Sequence, residues 1–159
     1  MNAVVREAVR ALVLDPAGRT LLVRFVNPDT GDHFWTTPGG GIDPGESPEE
    51  TIRRELREET GLEDPKIGPV IWTRREVFPW AGQTLDQREQ VGLVRVQAFE
   101  PKPGLGTERL AAEDVHELRW WTLDEVEASD AVFYPTRMAR FLRELLENGP
   151  PAEPIDVGI

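Results

Sequence analysis

The chain contains no cysteine, which excludes a disulfide framework, thiolate metal sites and a cysteine nucleophile. Histidine is nearly absent too. His33 and His116 stand far apart, and isolated loop histidines seldom ligate a metal, so neither is given a catalytic role. No apolar run approaches the length that spans a bilayer, and no charged-then-apolar leader opens the sequence. A cytoplasmic protein with no membrane partner is expected. Basic residues are outnumbered: 18 Lys and Arg face 29 Asp and Glu, a formal net charge of -11. Nucleic acids are gripped by clustered Lys and Arg, so this balance argues against a nucleic-acid partner. An acidic protein that works on an acidic ligand needs divalent cations or local arginines between the two. At 159 residues, 39% hydrophobic, the chain can build one sizeable core, expected over 1–148, with a Pro-rich tail at 149–159.

Along the chain, Val4 to Leu14 and Leu21 to Val26 flank the turn signal Asp15-Pro16-Ala17-Gly18 and read as an antiparallel hairpin. Phe34 to Thr37 is a short strand stopped by Pro38 and the glycines at 39–41. Ile67 to Val77 reads as one or two strands, Phe78 to Asp86 as a loop and Val91 to Phe99 as a strand. Pro101 to Ala112 reads as a long loop, and Leu118 to Trp121 returns as a strand before a capping-box helix at Thr122 to Glu125. Pro135 opens a last helix, whose Met138, Phe141, Leu142, Leu145 and Leu146 form one apolar stripe. The tail after Gly149 is expected to be loose or packed on a partner, and a homodimer is an open option. Strands around an early helix indicate an α/β fold, a mixed sheet flanked by helices.

The most informative stretch is Gly40 to Leu62, six of whose residues are glutamates. Ser47 suits an N-cap, Pro48 the first helical position, Glu50 completes a Ser-x-x-Glu capping box, and Gly61 gives a left-handed stop, so 48–60 is predicted helical. At ~100° per residue, Ile52 and Leu56 mark the buried stripe. Glu55, Glu58 and Glu59 fan out on one flank of it, with Arg53, Arg54 and Arg57 on the other. Charge-rich helices are most often merely solvated. Here the segregation of acids from bases and the glycines at both ends favour a site. Three close carboxylates raise one another's pKa unless a cation sits among them, and Mg2+ prefers such oxygen ligands together with substrate phosphates.

The same stretch resembles the Nudix box, G-x5-E-x7-R-E-U-x-E-E-x-G-U, where U is a bulky aliphatic. The match holds at Gly40, Glu46, Arg54, Glu55, Leu56, Glu58, Glu59, Gly61 and Leu62. Leu21 to Arg24, Trp35 to Gly41 and Trp120 to Glu125 are similar to family landmarks in the family order, so the likeness covers most of the chain. The resemblance implies a Nudix-type α/β/α sandwich and a phosphoric anhydride hydrolase. It implies Mg2+, with Mn2+ able to replace it, on Glu55, Glu58, Glu59 and the carbonyl of Gly40. Arg54 would orient the glutamates, and Glu46 would support the loop. For the general base it leaves Glu55 or a distant acid: Glu113, Asp114 or Glu89, with Glu113 favoured.

Substrate choice falls outside the box. Phe34, Phe78, Trp80 and Tyr134 are candidates to stack a base, and Arg24, Arg74, Arg75 and Arg88 to hold phosphates. The expected function is water attack on phosphorus in nucleoside polyphosphates: triphosphates, including oxidised purine forms such as 8-oxo-dGTP, or dinucleoside polyphosphates such as Ap4A. The alternatives are an ADP-ribose or nucleotide-sugar pyrophosphatase and, from another class, a catalytically silent nucleotide-binding module.

Overall fold

The computed structural model describes residues 2–103 and 115–159. Strand β1 (Val4–Leu14) is its hub. Along its whole length it lies parallel to β6 (Gln83–Arg95), from Val4 opposite Leu85 to Leu14 opposite Arg95. Its other edge is shared. The glycines at 39–41, expected to be loop, form strand β4 (Gly39–Gly41) against Ala8, Val9 and Arg10, and the Ala11 amide donates to the Pro38 carbonyl at 2.9 Å. With that edge taken, β2 (Thr20–Val26) pairs with β1 only at Leu14 and Thr20, so the expected first hairpin closes at its turn and then splays. β2 pairs instead with β3 (His33–Thr36) and with β7 (Val115–Trp121).

The region read as a loop at 78–86 is a tight hairpin. β5 (Val70–Trp80) runs to Trp80, Ala81 and Gly82 turn with φ of 52° and 79°, and β6 begins at once. Two successive positive φ values match the twist of a two-residue hairpin. Carboxylate oxygens of Asp29 accept from the Gly82 amide at 3.0 and 3.1 Å and hold the turn. The tail also departs from expectation. Ile155–Asp156 (β9) adds in parallel to β5, and Val157 is buried. The sheet edge offers unpaired backbone groups and the core a place for one more valine, so these residues dock on their own chain.

With β8 (Phe133–Tyr134) beside β3, the sheet runs β8-β3-β2-β1-β6-β5-β9 and mixes parallel and antiparallel pairs. Side chains alternate across it. Val9, Ala11 and Val13 meet Ile52 and Leu56 of α1 (Pro48–Thr60). From the other face, Leu12 and Leu14 join the cluster that holds Met138, Phe141, Leu142 and Leu145 of α3 (Met138–Asn148), with Val126 of α2 (Leu123–Ala128). This is the α/β/α sandwich. Leu146, placed on the buried stripe by spacing, is 38% exposed, because five side chains span a wider arc than the sheet covers.

Candidate active site

Helix α1 starts where its caps predict. Ser47 Oγ accepts from the Glu50 amide, Glu50 reaches back to the Ser47 amide, and the helix ends at Gly61. Burial of Ile52 and Leu56 sets its rotation about its axis and turns Glu55, Glu58 and Glu59 toward β4. The contact is close: a Cβ on Gly40 would stand 2.7 Å from Glu55 Oε1. Only a glycine leaves room there for that carboxylate.

Arg54 is not segregated on the opposite flank as helical angles suggest. Its long side chain swings round, and Nη1 donates to Glu55 at 2.9 Å and Glu58 at 3.3 Å. Its Nε and Nη2 donate to the two oxygens of Glu46 at 2.7 and 2.9 Å. Such charge-assisted forks fix both position and charge. Glu46 also accepts from the Asp43 amide and the Thr51 hydroxyl. The bonds from Arg54, against a smaller opposing effect of desolvation, hold its carboxyl at a pKa of about 2. Glu46 therefore anchors Arg54, and Arg54 aligns the glutamates.

Glu59 is 2% exposed, with one oxygen 3.4 Å from the Gly39 amide and the other, Oε2, without a partner among the described residues. Burial and then the charge of Glu55 push its pKa well above the usual carboxylate range. A buried carboxylate with an orphaned oxygen beside two more carboxylates suits a hard divalent cation, which would discharge that repulsion. Arg54 now stands among the acids, and no three acidic or histidine side chains among the described residues already converge as a metal cage. The donor set fits the ion; its convergence requires side-chain movement.

The fan lies at one end of a cleft of about 970 Å³. At the other end Phe34 sits edge-on to Trp80 (6.2 Å) and Tyr134 (5.2 Å), and Phe78 packs on Trp80. Phe34 and Phe78 thus line the cleft, with Trp80 and Tyr134. Between the two ends an ionic row crosses the sheet. Arg10 of β1 pairs with Glu89 of β6, Glu89 with Arg74 of β5, and Arg74 with Glu76.

Three of the arginines expected to hold phosphates are elsewhere. Arg75 and Arg88 alternate with Arg74 and Glu89, so they point to the other face, where both pair with Asp86. Arg24 is engaged by Glu117 at 3.7 Å and by His33, away from the cleft lining. Glu89 is also no free base. It is 3% exposed, and although burial raises its pKa, Arg10 and Arg74 outweigh this and hold it at about 2. Glu113 and Asp114 lie outside the described residues. Sequence reasoning passed over Arg6 and Arg10, both of which line the cleft. Their separation by two strand periods, in phase with Leu12 and Leu14, was the available signal.

The model of the NUDIX domain family matches residues 4–147. An RNA pyrophosphohydrolase of Sphingopyxis alaskensis is 29% identical over 132 residues, 77% of this chain and 80% of that protein. Another RNA pyrophosphohydrolase, from Pseudomonas putida, is 37% identical over 83 residues, but the match spans only 52% of this chain and 47% of that one. Among solved structures, a MutT NUDIX hydrolase from Burkholderia pseudomallei superposes with a TM-score of 0.64 at 26% identity, over 89% of this chain and 98% of its own. The NUDIX domain of Shewanella oneidensis NrtR, solved with ADP ribose, gives a TM-score of 0.65 at 23% identity over 91% and 90%, a likeness of fold.

Proposed function

The chain belongs to the NUDIX domain family and is a hydrolase of phosphoric anhydrides, and from that premise we propose that it cleaves small nucleoside polyphosphates with the help of Mg2+. One observation carries the choice of substrate: the glutamate fan and a half-buried aromatic wall face the same cleft of about 970 Å³. That cleft has room for one nucleotide, its base against Phe34, Phe78, Trp80 and Tyr134 and its phosphates toward the fan.

Glu55, Glu58, Glu59 and the Gly40 carbonyl would hold Mg2+, and Mn2+ suits the same oxygens. When bound, the ion supplies charge neutralisation and Lewis-acid polarisation of the phosphates. The chain's own residues do the rest. Arg54 keeps Glu55 and Glu58 aligned, and Glu46 keeps Arg54 in place. Side-chain-free backbone at Gly39–Gly41 admits the phosphate chain close to the acids. Water adds to phosphorus as the anhydride bond breaks, and the proton passes to a carboxylate, for which Glu113 remains our candidate on sequence grounds.

A second reading, the 5′ end of an RNA, is favoured by the relative from Sphingopyxis alaskensis. The net charge of -11 opposes it, since RNA affinity comes largely from cationic contacts to the backbone. The test is a panel of nucleoside triphosphates, oxidised purine triphosphates, dinucleoside polyphosphates, ADP-ribose and a 5′-triphosphorylated RNA, incubated with Mg2+ and analysed for products. Turnover highest on a free nucleoside polyphosphate is expected; turnover highest on the RNA would transfer the assignment, and on ADP-ribose would favour the pyrophosphatase alternative.

A further inference from the structure

The ionic row under the cleft has no part in holding the cation as described so far, yet it is costly to build. Charges taken out of water are tolerated only where partners compensate them. Glu89 has both oxygens engaged: Oε1 accepts from Arg10 and from Gln87 Nε2, and Oε2 from Arg74. Arg74 lies 5.1 Å from the Tyr134 ring, at the aromatic end of the cleft. Arg10 reaches the opposite way. Its Nη1 donates to the Thr37 carbonyl at 3.0 Å, just before the glycine strand. That strand is pressed onto the same residue, for a Cβ on Gly39 would stand 2.6 Å from Arg10 Cα and 2.7 Å from its Cγ. Gly39 in turn directs its amide at Glu59. A continuous set of contacts therefore runs from Glu89 through Arg10 to the backbone on which Glu59 rests.

We propose that Arg10 is a positioning residue for the reaction: clamped by Glu89, it fixes Thr37 and the Gly39–Gly41 strand beneath the glutamate fan and thereby sets the spacing of the cation's ligands. The planar guanidinium is suited to this, because one group donates in two directions at a fixed angle; an ammonium gives a point charge without that fork. Position is separated from charge by Arg10→Lys. The lysine keeps a positive charge beside the ligands but loses the fork, so it should match the wild type if charge were all that mattered and should weaken metal binding if Arg10 acts by position.

Because this role presupposes that the glutamates hold the cation, wild type and Glu58→Gln are measured alongside Arg10→Gln and Arg10→Lys. The readouts are thermal unfolding, Mn2+ binding without substrate by electron paramagnetic resonance, and kcat and KM on the best nucleotide of the panel with Mg2+. Arg10→Gln is expected to bind Mn2+ about tenfold more weakly and to lose about tenfold or more in kcat with little change in KM, the range typical of groups that orient metal ligands. Arg10→Lys, which keeps the charge and the more conservative packing, should show the same losses in reduced degree. Should Arg10→Gln fail to fold, Arg10→Lys decides alone. Mn2+ affinity equal to or tighter than wild type, or an unchanged kcat, in a folded variant would overturn the positioning role. A wild-type protein that does not bind Mn2+, or one that binds it equally well after Glu58→Gln, would instead overturn the metal assignment, and the positioning role would fall with it.

Discussion

Glu89 is the residue on which most buried charge depends. Its two oxygens are shared by Arg10 and Arg74, and Glu89→Gln would take the counter-ion from between two buried guanidiniums, leaving Arg74 with Glu76 alone. Breaking a buried pair from one side costs about 3–5 kcal/mol, so the variant should unfold at a clearly lower denaturant concentration. The pH dependence has a definite sign. The carboxyl is held at about 2 in the folded protein against about 4.3 in an unfolded chain. Its contribution is therefore complete above the unfolded value and lost as pH falls through that window. Urea midpoints measured from pH 6 to pH 2.5 should drop steeply in the wild type and less steeply in Glu89→Gln. Some slope will remain, because Glu46 and Asp86 are also held at about 2. Equal slopes in the two proteins would mean that Glu89 is not so bound.

At the scale of elements, α1 and β4 form the working pair, and Gly40 is where they touch. Gly40→Ala meets only the far end of the Glu55 side chain, so the backbone can stay while the carboxylate must move aside. A displacement of about 1 Å at a catalytic group can cost a hundredfold in rate. The expected result is a Gly40→Ala protein with a near-wild-type melting curve and a kcat lowered by about 10- to 100-fold. A variant with unchanged kcat would show that Glu55 is not constrained by this contact.

Elements were legible where their signals are local. Ser47, Pro48, Glu50 and Gly61 mark α1 within a few residues of the positions they cap, and the observed helix begins and ends there. The hairpin at 78–86 was not legible, because its strands lie between the polar floor of the cleft and the outward face that carries Arg75 and Arg88. Apolar alternation is missing there: one face carries Glu76, Gln87 and Glu89, the other Asp86 and Arg88. Likewise, helical angles gave the direction of Glu55, Glu58 and Glu59, but they could not show that Arg54 curls back among them. Arg10, Glu89 and Arg74 meet only through strand pairing, and their separation of up to 79 residues hides that contact from any short-window reading. For the same reason the sequence does not separate Arg74, which faces the cleft, from Arg75 and Arg88, which do not, and gives no sign of Arg10 beside them.

On the scale of the whole molecule, the sandwich brings distant parts of the chain to one cleft. The helix from 48–60 contributes the acids, β3, β5 and β8 the aromatic wall, and β1 the charge beneath. The C-terminal residues close the far edge of the sheet, where two residues of strand are too short a signal to read from sequence. Among the described residues no helix is long and apolar enough to cross a membrane.

Whether the glutamate fan, with Mg2+, carries out the hydrolysis is decided by the Mg2+-dependent turnover of Glu58→Gln on the best nucleoside polyphosphate. Glu58 is half-buried at the fan's edge and keeps its shape as glutamine, so folding should survive the change. We expect a folded protein whose turnover falls by about a hundredfold or more at every Mg2+ concentration. A folded Glu58→Gln enzyme that turns over at near the wild-type rate would contradict that role of the fan.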